Sequence, residues 1–222
     1  MHITKSKNIP SRLITQWQES SQQLGAYLRL YQIHSATVDS GVLTNQPVLA
    51  ALAALRAEHG VAIGLSLSGP AQATTLLQAL AVEVDGLRLF DTVQATWNLL
   101  ECAVRDALRQ AHEVGVGVIV KEALANGRLT SRNQDPTFAP ALAKLQAEAQ
   151  RLQTTVDALA LAAVLAQPWV DVVLSGASTV EQIQSNLAAS SVKIDEAAWQ
   201  TLTPLQESPA HYWATRSAMP WN

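Results

Sequence analysis

Short apolar segments recur along the chain at intervals of about thirty residues, and each is followed by a segment with helical periodicity. Apolar runs of this length that are rich in β-branched residues are typical of strands buried on both faces of a parallel sheet. The alternation of such strands with helices predicts the α/β fold class. The pattern predicts five strands, at Leu28–His34, Val61–Ser66, Leu87–Gln94, Val116–Lys121 and Val170–Ser175.

Helices are expected between and after these strands, where proline or a capping residue opens a periodic segment and glycine often closes it. The polar connection Ala125–Pro140 is long enough to be a functional loop. The tail His211–Asn222 contains three large aromatic residues and is expected to pack against the protein. The predicted helices are Pro10–Leu24, Pro47–His59, Ala71–Val82, Glu101–Val114, Ala141–Leu152, Thr155–Gln167, Thr179–Ala189 and Asp195–Leu205.

The strand count is too low for a closed barrel. A sixth strand is possible at His2–Lys5, whereas a (β/α)₈ barrel has eight strands and about 250 residues. The pattern is therefore compatible with a barrel that lacks its first units or with a smaller open sheet, in either case as a single domain over residues 1–222. Missing strands leave unpaired edges, so self-association through those edges is expected.

Composition narrows the function classes. The net charge is −3 with no basic cluster, which argues against nucleic-acid binding. The apolar stretch Ala158–Ala166 is too short to span a bilayer, and the N-terminus lacks the apolar core of a signal peptide. One cysteine, Cys102, fits a reducing compartment, so a cytoplasmic protein with a packed, inert thiol is expected. No Cys/His cluster has zinc-ligand spacing, so no metal is expected.

Polar residues stand where the predicted strands end. Parallel strands bring their carboxyl ends to one rim, where α/β folds keep their chemistry. A Gly-Ala-Ser-Thr turn after the last strand opens a helix, and such a turn presents N–H groups and a positive dipole end to an anion. This turn alone is also compatible with a small open α/β protein that binds another phosphate ligand. The strand-end residues are His34, Ser66, Gln94, Lys121, Glu122, Ser175 and Gly176.

Six segments, in order, carry a resemblance to a known family. The chain resembles the C-terminal two-thirds of an aldo/keto reductase, with about five to six of its eight βα units present. The resemblance implies a (β/α)₈ TIM-type barrel, truncated at its N-terminus, that uses NADP(H) without a Rossmann motif to reduce aldehydes or ketones. The segments are Leu28–His34, Ile63–Gly69, Val93–Glu101, Gly115–Thr130, Ala158–Leu165 and Val172–Ala189.

The resemblance also implies roles for single residues. His34 matches the histidine that orients the substrate carbonyl, and Lys5 resembles the lysine of the same catalytic tetrad. Ser66 and Gln94 match the residues that hold the nicotinamide carboxamide, and Lys121 stands beside the nicotinamide ring. The remaining matches are Leu124, Ala125 and Gly127 in the pyrophosphate loop, and Gly176, Ala177, Ser178, Thr179, Gln182 and Asn186 around the adenosine 2′-phosphate and adenine.

Several positions depart from the family pattern. The unit that carries the catalytic tyrosine and its partner aspartate is absent, and without an acid at the carbonyl oxygen turnover is expected to be poor. Leu67 replaces an asparagine, and Lys121 replaces an aromatic residue. Gln182 replaces an arginine, which weakens the preference for NADPH. Two functions therefore remain: an impaired carbonyl reductase, or a non-catalytic relative that acts as a cofactor-binding or regulatory module.

Overall fold

A computed structural model describes residues 9–219 of the chain. The possible strand at His2–Lys5 lies outside these residues. The strands are β1 Leu30–Ala36, β2 Ala62–Leu67, β3 Glu83–Val84, β4 Leu87–Arg88, β5 Thr92–Thr96, β6 Gly117–Lys121 and β7 Val172–Val173. The helices are α1 Ile9–Leu24, α2 Gln46–His59, α3 Gln72–Leu80, α4 Arg105–Glu113, α5 Ala139–Arg151, α6 Val156–Leu165, α7 Val180–Leu187, α8 Glu196–Leu202 and α9 Pro209–Ala218.

The predicted strand Leu87–Gln94 is wrong as a single element. Its first residues form β4, which pairs antiparallel with β3, and its later residues begin β5. The turn between β3 and β4 is Asp85-Gly86, and both residues have positive φ, +53° and +75°. An Asp-Gly pair in this conformation favours a tight hairpin. The hairpin therefore removes Leu87 and Arg88 from the parallel sheet.

The chain divides into two compact units, and the boundaries fall inside β5 and at the start of β6. The first unit contains residues up to Gln94 together with Ala107–Gly117. Here β1, β2 and the start of β5 pair in parallel. Ile33, Leu65 and Val93 lie side by side in this register and are buried. The fold class predicted from the sequence, α/β with a parallel sheet, is confirmed.

The opposite face of these strands is polar and tightly packed at Gly64. In register with Gly64 lie Gln32 on β1 and Thr92 on β5. A Cβ atom at Gly64 would lie 2.2 Å from Thr92 Oγ1 and 3.0 Å from Gln32 Cγ. Real Cβ atoms do not approach another heavy atom to 2.2 Å, so the packing of Thr92 against β2 depends on glycine at this position.

The second unit contains Ala95–Asp106 and Val118–Asn222. Here β6 and β7 pair in parallel, with Ile119 opposite Val172. The core cluster of this unit contains buried side chains from α5, α6, α8 and α9, among them Leu145, Leu159, Leu202 and Trp213. Within residues 9–219 no helix combines the length and the apolar composition that crossing a membrane requires.

The aromatic tail packs as predicted for its described part, but its helix was not predicted. Tyr212 and Trp213 are buried in α9. Ser208 caps this helix by accepting the N–H of His211 at 3.3 Å, and Pro209 occupies its first turn. A serine followed by proline is a known helix-start signal, so the sequence did contain the information.

Candidate active site

The carboxyl ends of β1 and β2 are joined by a hydrogen bond next to His34. The N–H of Ser35 donates to Ser66 Oγ at 3.3 Å, and Ser35 has a positive φ of +52°. The His34 ring is exposed, and its Nε2 lies 3.4 Å from Ser35 Oγ. Ser66 itself is buried, with 5% of its surface exposed. Ser35, a strained residue near the end of β1, thus links the backbone beside His34 to Ser66.

A second hydrogen bond crosses the sheet to β5. Gln32 Nε2 donates to Gln94 Oε1 at 3.2 Å. Gln32 Oε1 and Thr92 Oγ1 are buried, and neither has a hydrogen-bond partner among the residues that the structure describes. A buried acceptor without a partner costs free energy unless a ligand or water satisfies it. Gln32 was not a predicted site residue, although its position two residues before His34 on the same strand places it on the same face.

Lys121 and Glu122 lie at the end of β6 in the second unit. Lys121 is half-buried, and burial lowers the pKa of its ammonium against the opposing effect of Glu122. Glu122 has a positive φ of +56°, and its Oε1 accepts hydrogen bonds from Arg216 Nη2 at 2.7 Å and Nε at 3.2 Å. The strand therefore ends in a conformation that α9 holds through Arg216.

Asn98 organises the backbone next to this strand end. Its Oδ1 accepts the N–H groups of Leu100 and Glu101, at 2.9 and 3.0 Å. Its Nδ2 donates to the carbonyl of Glu122 at 2.9 Å and to the Tyr212 hydroxyl at 3.0 Å. Asn98 is fully buried, and all these bonds are to other residues of the chain. It therefore fixes the backbone at the end of β6 through its hydrogen bond to the Glu122 carbonyl.

The predicted pyrophosphate loop is a tight left-handed turn. Ala125, Asn126 and Gly127 have φ values of +48°, +53° and +92°. The N–H of Gly127 donates to the carbonyl of Leu124 at 3.0 Å. Leu124 packs against the core cluster of the second unit, so the loop is anchored on its apolar side. Glycine suits the last position because its φ is far inside the region that other residues avoid.

The segment from Gly176 to Asn186, which the resemblance assigns to the adenosine end of the cofactor, leads into α7. Gly176 has a φ of +65°, and Thr179 is the N-cap of the helix. Asn186 is buried, with 7% exposed, and its Nδ2 donates to the carbonyl of Ser175 at 3.1 Å. Asn186 thus ties the helix to the turn before it. The side chains of Ser178 and Gln182 bond to each other, with Ser178 Oγ donating to Gln182 Oε1 at 3.0 Å.

Of the two residues that the resemblance assigns to the catalytic tetrad, His34 lies in the described part of the chain. Lys5 lies outside the described residues. Tyr31 lies on the same strand as His34, but an odd separation puts the two side chains on opposite faces. The Tyr31 ring packs against Trp17 of α1 at a centroid distance of 5.3 Å, and burial raises the pKa of its hydroxyl. Within residues 9–219 no group of three or more metal-ligating side chains forms a metal site.

Comparisons of the sequence and of the structure with known proteins both point to one family. The sequence profile of the aldo/keto reductase family matches residues 2–207. The holo form of aldo-keto reductase AKR11C1 from Bacillus halodurans is similar with a TM-score of 0.72 and 20% identity, over 92% of this chain and 70% of that chain. Its apo form gives a TM-score of 0.71 and 21% identity, over 90% of this chain and 69% of that chain.

A third solved structure agrees. The thermostable aldo-keto reductase Tm1743, in complex with the inhibitor epalrestat, has a TM-score of 0.67 and 19% identity, over 88% of this chain and 66% of that chain. At these identities the structural likeness shows the fold. No curated protein matched the chain.

Because the family profile covers most of the sequence, the chain belongs to the aldo/keto reductase family. This family consists of oxidoreductases that bind a nicotinamide cofactor and act on small carbonyl substrates. The resemblance inferred from six sequence segments is therefore confirmed.

Proposed function

We propose that the chain is a nicotinamide-dependent oxidoreductase that reduces aldehydes or ketones to alcohols. The proposal assigns Ser66 and Gln94 to the nicotinamide carboxamide and His34 to the substrate carbonyl. The observation that carries it is the pair of hydrogen bonds that ties the ends of β1, β2 and β5 together, Ser35 to Ser66 and Gln32 to Gln94. These bonds support a rim of polar groups at the carboxyl ends of parallel strands.

The side chains at this rim fit a carboxamide. A carboxamide both donates and accepts hydrogen bonds, so its partners must offer both kinds of group. Gln32 Oε1 is a buried acceptor without a partner in the described structure, and the Ser66 hydroxyl and the Gln94 amide are donors. The resemblance names NADP(H) as the form of the cofactor, with Lys5, Lys121, Leu124, Gly127 and the segment from Gly176 to Asn186 as further binding or catalytic residues.

When bound, the cofactor supplies a hydride to the carbonyl carbon. The oxygen must then gain a proton, and catalysis depends on a positioned acid for this step. Among the predicted site residues at this rim, His34 carries an exposed imidazole that can donate a hydrogen bond to the carbonyl oxygen. The proposal therefore assigns His34 to orienting the carbonyl. Because the resemblance assigns no residue of this chain to the proton-donating tyrosine, we expect slow turnover.

The same observation favours a second candidate, a non-catalytic relative that binds the cofactor as a regulatory module. The two candidates predict equal cofactor binding but differ in aldehyde reduction. In either case we propose a cytoplasmic protein that self-associates through β1, an outer strand of the sheet among the described residues. Light scattering that gives a monomer mass at all concentrations would contradict self-association.

The experiment is a titration of the purified chain with NADH and with NADPH, followed by the fluorescence of its six tryptophans. We expect saturable binding that weakens about tenfold in Gln94→Ala, the loss of one or two hydrogen bonds. The matched control is Gln18→Ala, an exposed glutamine on α1. Binding that is unchanged in Gln94→Ala, or absent from the folded chain, would refute the proposed site.

A second measurement separates the two candidate functions. The chain is assayed with a panel of aldehydes by the loss of absorbance of the reduced cofactor. If the chain is a reductase, we expect slow consumption of the reduced cofactor. The substitution His34→Gln should slow it further while the cofactor affinity stays constant. No consumption at saturating cofactor would favour the regulatory module.

A further inference from the structure

The segment that enters α7 satisfies several of its hydrogen-bond donors with its own side chains. The N–H of Ser178 donates to Gln182 Oε1 at 2.8 Å, and the Ser178 hydroxyl donates to the same oxygen at 3.0 Å. The N–H of Gln182 donates to Thr179 Oγ1 at 3.2 Å, and that of Ala177 donates to Ser175 Oγ at 3.3 Å. A helix start binds an anion through such donors, but here side-chain oxygens of the chain already occupy them.

The charge at this helix start is negative. Glu181 lies in the first turn of α7 and is fully exposed. Hydrogen bonds from its own N–H and from the Thr179 hydroxyl lower the pKa of its carboxyl, so it is ionised at neutral pH. A second carboxylate, Asp157, lies farther along α7, where Ser185 Oγ donates to its Oδ2 at 3.4 Å. The sequence contains no lysine or arginine between Arg151 and Lys193.

These observations do not fit a phosphate monoester. A phosphate carries a charge of about −1.5 to −2 at neutral pH and is bound most strongly by cationic donors such as arginine. At the start of α7 it would meet a carboxylate and an amide oxygen. A hydroxyl group fits better, since it is neutral and can donate to the Glu181 carboxylate.

We infer that the chain binds the dinucleotide with a free 2′-hydroxyl, NADH, in preference to NADPH, and that Glu181 and Gln182 determine this specificity. The inference rests on the proposed function, because it concerns the adenosine end of the same cofactor. It differs from the NADP(H) expectation that the family resemblance supplies. The Gln182 side-chain oxygen occupies the N–H of Ser178, which a phosphate would otherwise bind. The negative charge of Glu181 repels a phosphate.

The test is isothermal calorimetry of the full chain with NADH and NADPH at low ionic strength. We expect NADH to bind about tenfold more tightly, the effect of one unfavourable charge pair at the protein surface. In Glu181→Gln/Gln182→Arg, NADPH binding should strengthen and NADH binding should weaken, because the 2′-hydroxyl loses its carboxylate acceptor, until the ratio is near one or reversed. The gain should shrink as salt is added, because the new contact is ionic.

The matched control is Gln184→Arg, which adds the same charge to an exposed position on the same helix. It should leave the ratio of the two affinities unchanged, and an equal shift in the control would overturn the assignment to Glu181 and Gln182. An unmodified chain that binds NADPH as tightly as NADH, or more tightly, overturns the inference while the proposed function stands. A folded chain that binds neither form defeats the proposed function, and the inference with it. If the double variant does not fold, the affinity ratio of the unmodified chain decides alone.

Discussion

Asp91 and Ile63 are joined by two hydrogen bonds where their strands begin. Asp91 Oδ2 accepts the N–H of Ile63 at 2.8 Å, and the N–H of Asp91 donates to the carbonyl of Ile63 at 2.7 Å. The same relationship recurs in the second unit between Asp171 and Val118, at 2.7 and 3.1 Å. Each aspartate directly precedes a strand and holds the start of another strand of the parallel sheet. In each unit the carboxylate thus sets strand register at the amino ends of the strands, and in the first unit this is the end opposite His34.

Replacing Asp91 by alanine should lower the free energy of unfolding by about 2 kcal/mol, because the N–H of Ile63 loses its charged acceptor. Arg56 would also lose its ion pair with Asp91 at 3.6 Å. Urea unfolding followed by circular dichroism measures the change. The control Glu58→Ala, on the exposed end of α2, should change stability by less than about 0.5 kcal/mol. Equal stabilities of the two variants would show that the Asp91 carboxylate does not hold the strands.

Arg216 should contribute more to stability than an exposed arginine. Its partner Glu122 has a side chain only 10% exposed, and Arg216 also lies over the Trp213 ring. Arg216→Ala leaves a poorly hydrated carboxylate and should cost about 2 kcal/mol. The matched control is Arg109→Ala, which breaks an exposed pair with Glu113 and should cost less than about 0.5 kcal/mol.

Hydrogen exchange locates the effect of the Arg216 substitution. Amides of α9 should exchange faster in Arg216→Ala and at the original rate in Arg109→Ala. If α9 keeps its protection in both variants, the ion pair with Glu122 does not anchor the helix.

Cys102 should be unreactive in the folded protein. Burial raises the pKa of its thiol to about 11, and Sγ donates to the carbonyl of Asn98 at 3.0 Å. At pH 8 about one thiol in a thousand is then ionised, against about a quarter at an ordinary pKa near 8.5. Alkylation by iodoacetamide, followed by mass spectrometry, should be at least about a hundredfold slower than in urea. As the pH rises from 8 to 10 the folded-state rate should keep increasing, whereas the rate in urea should level off. Comparable rates at pH 8 would mean that the thiol is not protected.

The sequence predicted the parts of the fold that depend on local chemistry. Thr155 and Asp195 were predicted to start helices, and each accepts an N–H from the first turn of its helix, at 3.2 and 2.8 Å. Apolar runs with β-branched residues correctly predicted the positions of the parallel strands. A strand buried on both faces consists almost entirely of apolar residues, so its sequence identifies it. Strand bounds were less accurate. Of the predicted strand Val170–Ser175, only Val172–Val173 forms β7, because the length of a strand depends on the strand with which it pairs.

The candidate site was predictable only in part. His34, Ser66 and Gln94 stand at strand ends, so alternation and order along the chain indicate them. Gln32 was missed because its link to Gln94 spans strands that are far apart in sequence. The internal bond between Ser178 and Gln182 was missed for a different reason. The sequence shows that a glutamine stands where a cation is usual, but only the structure shows where its side-chain oxygen points.

The close approach of Thr92 to Gly64 links the evolution of two positions that belong to different strands. A side chain at position 64 requires a smaller residue at position 92, because the two would otherwise occupy the same volume, and the Gln32 side chain must also shift slightly. In a library that randomises both positions, folded members should pair a larger residue at one with glycine or alanine at the other. Residues 64 and 92 are therefore expected to vary together, as one coupled pair, among folded sequences.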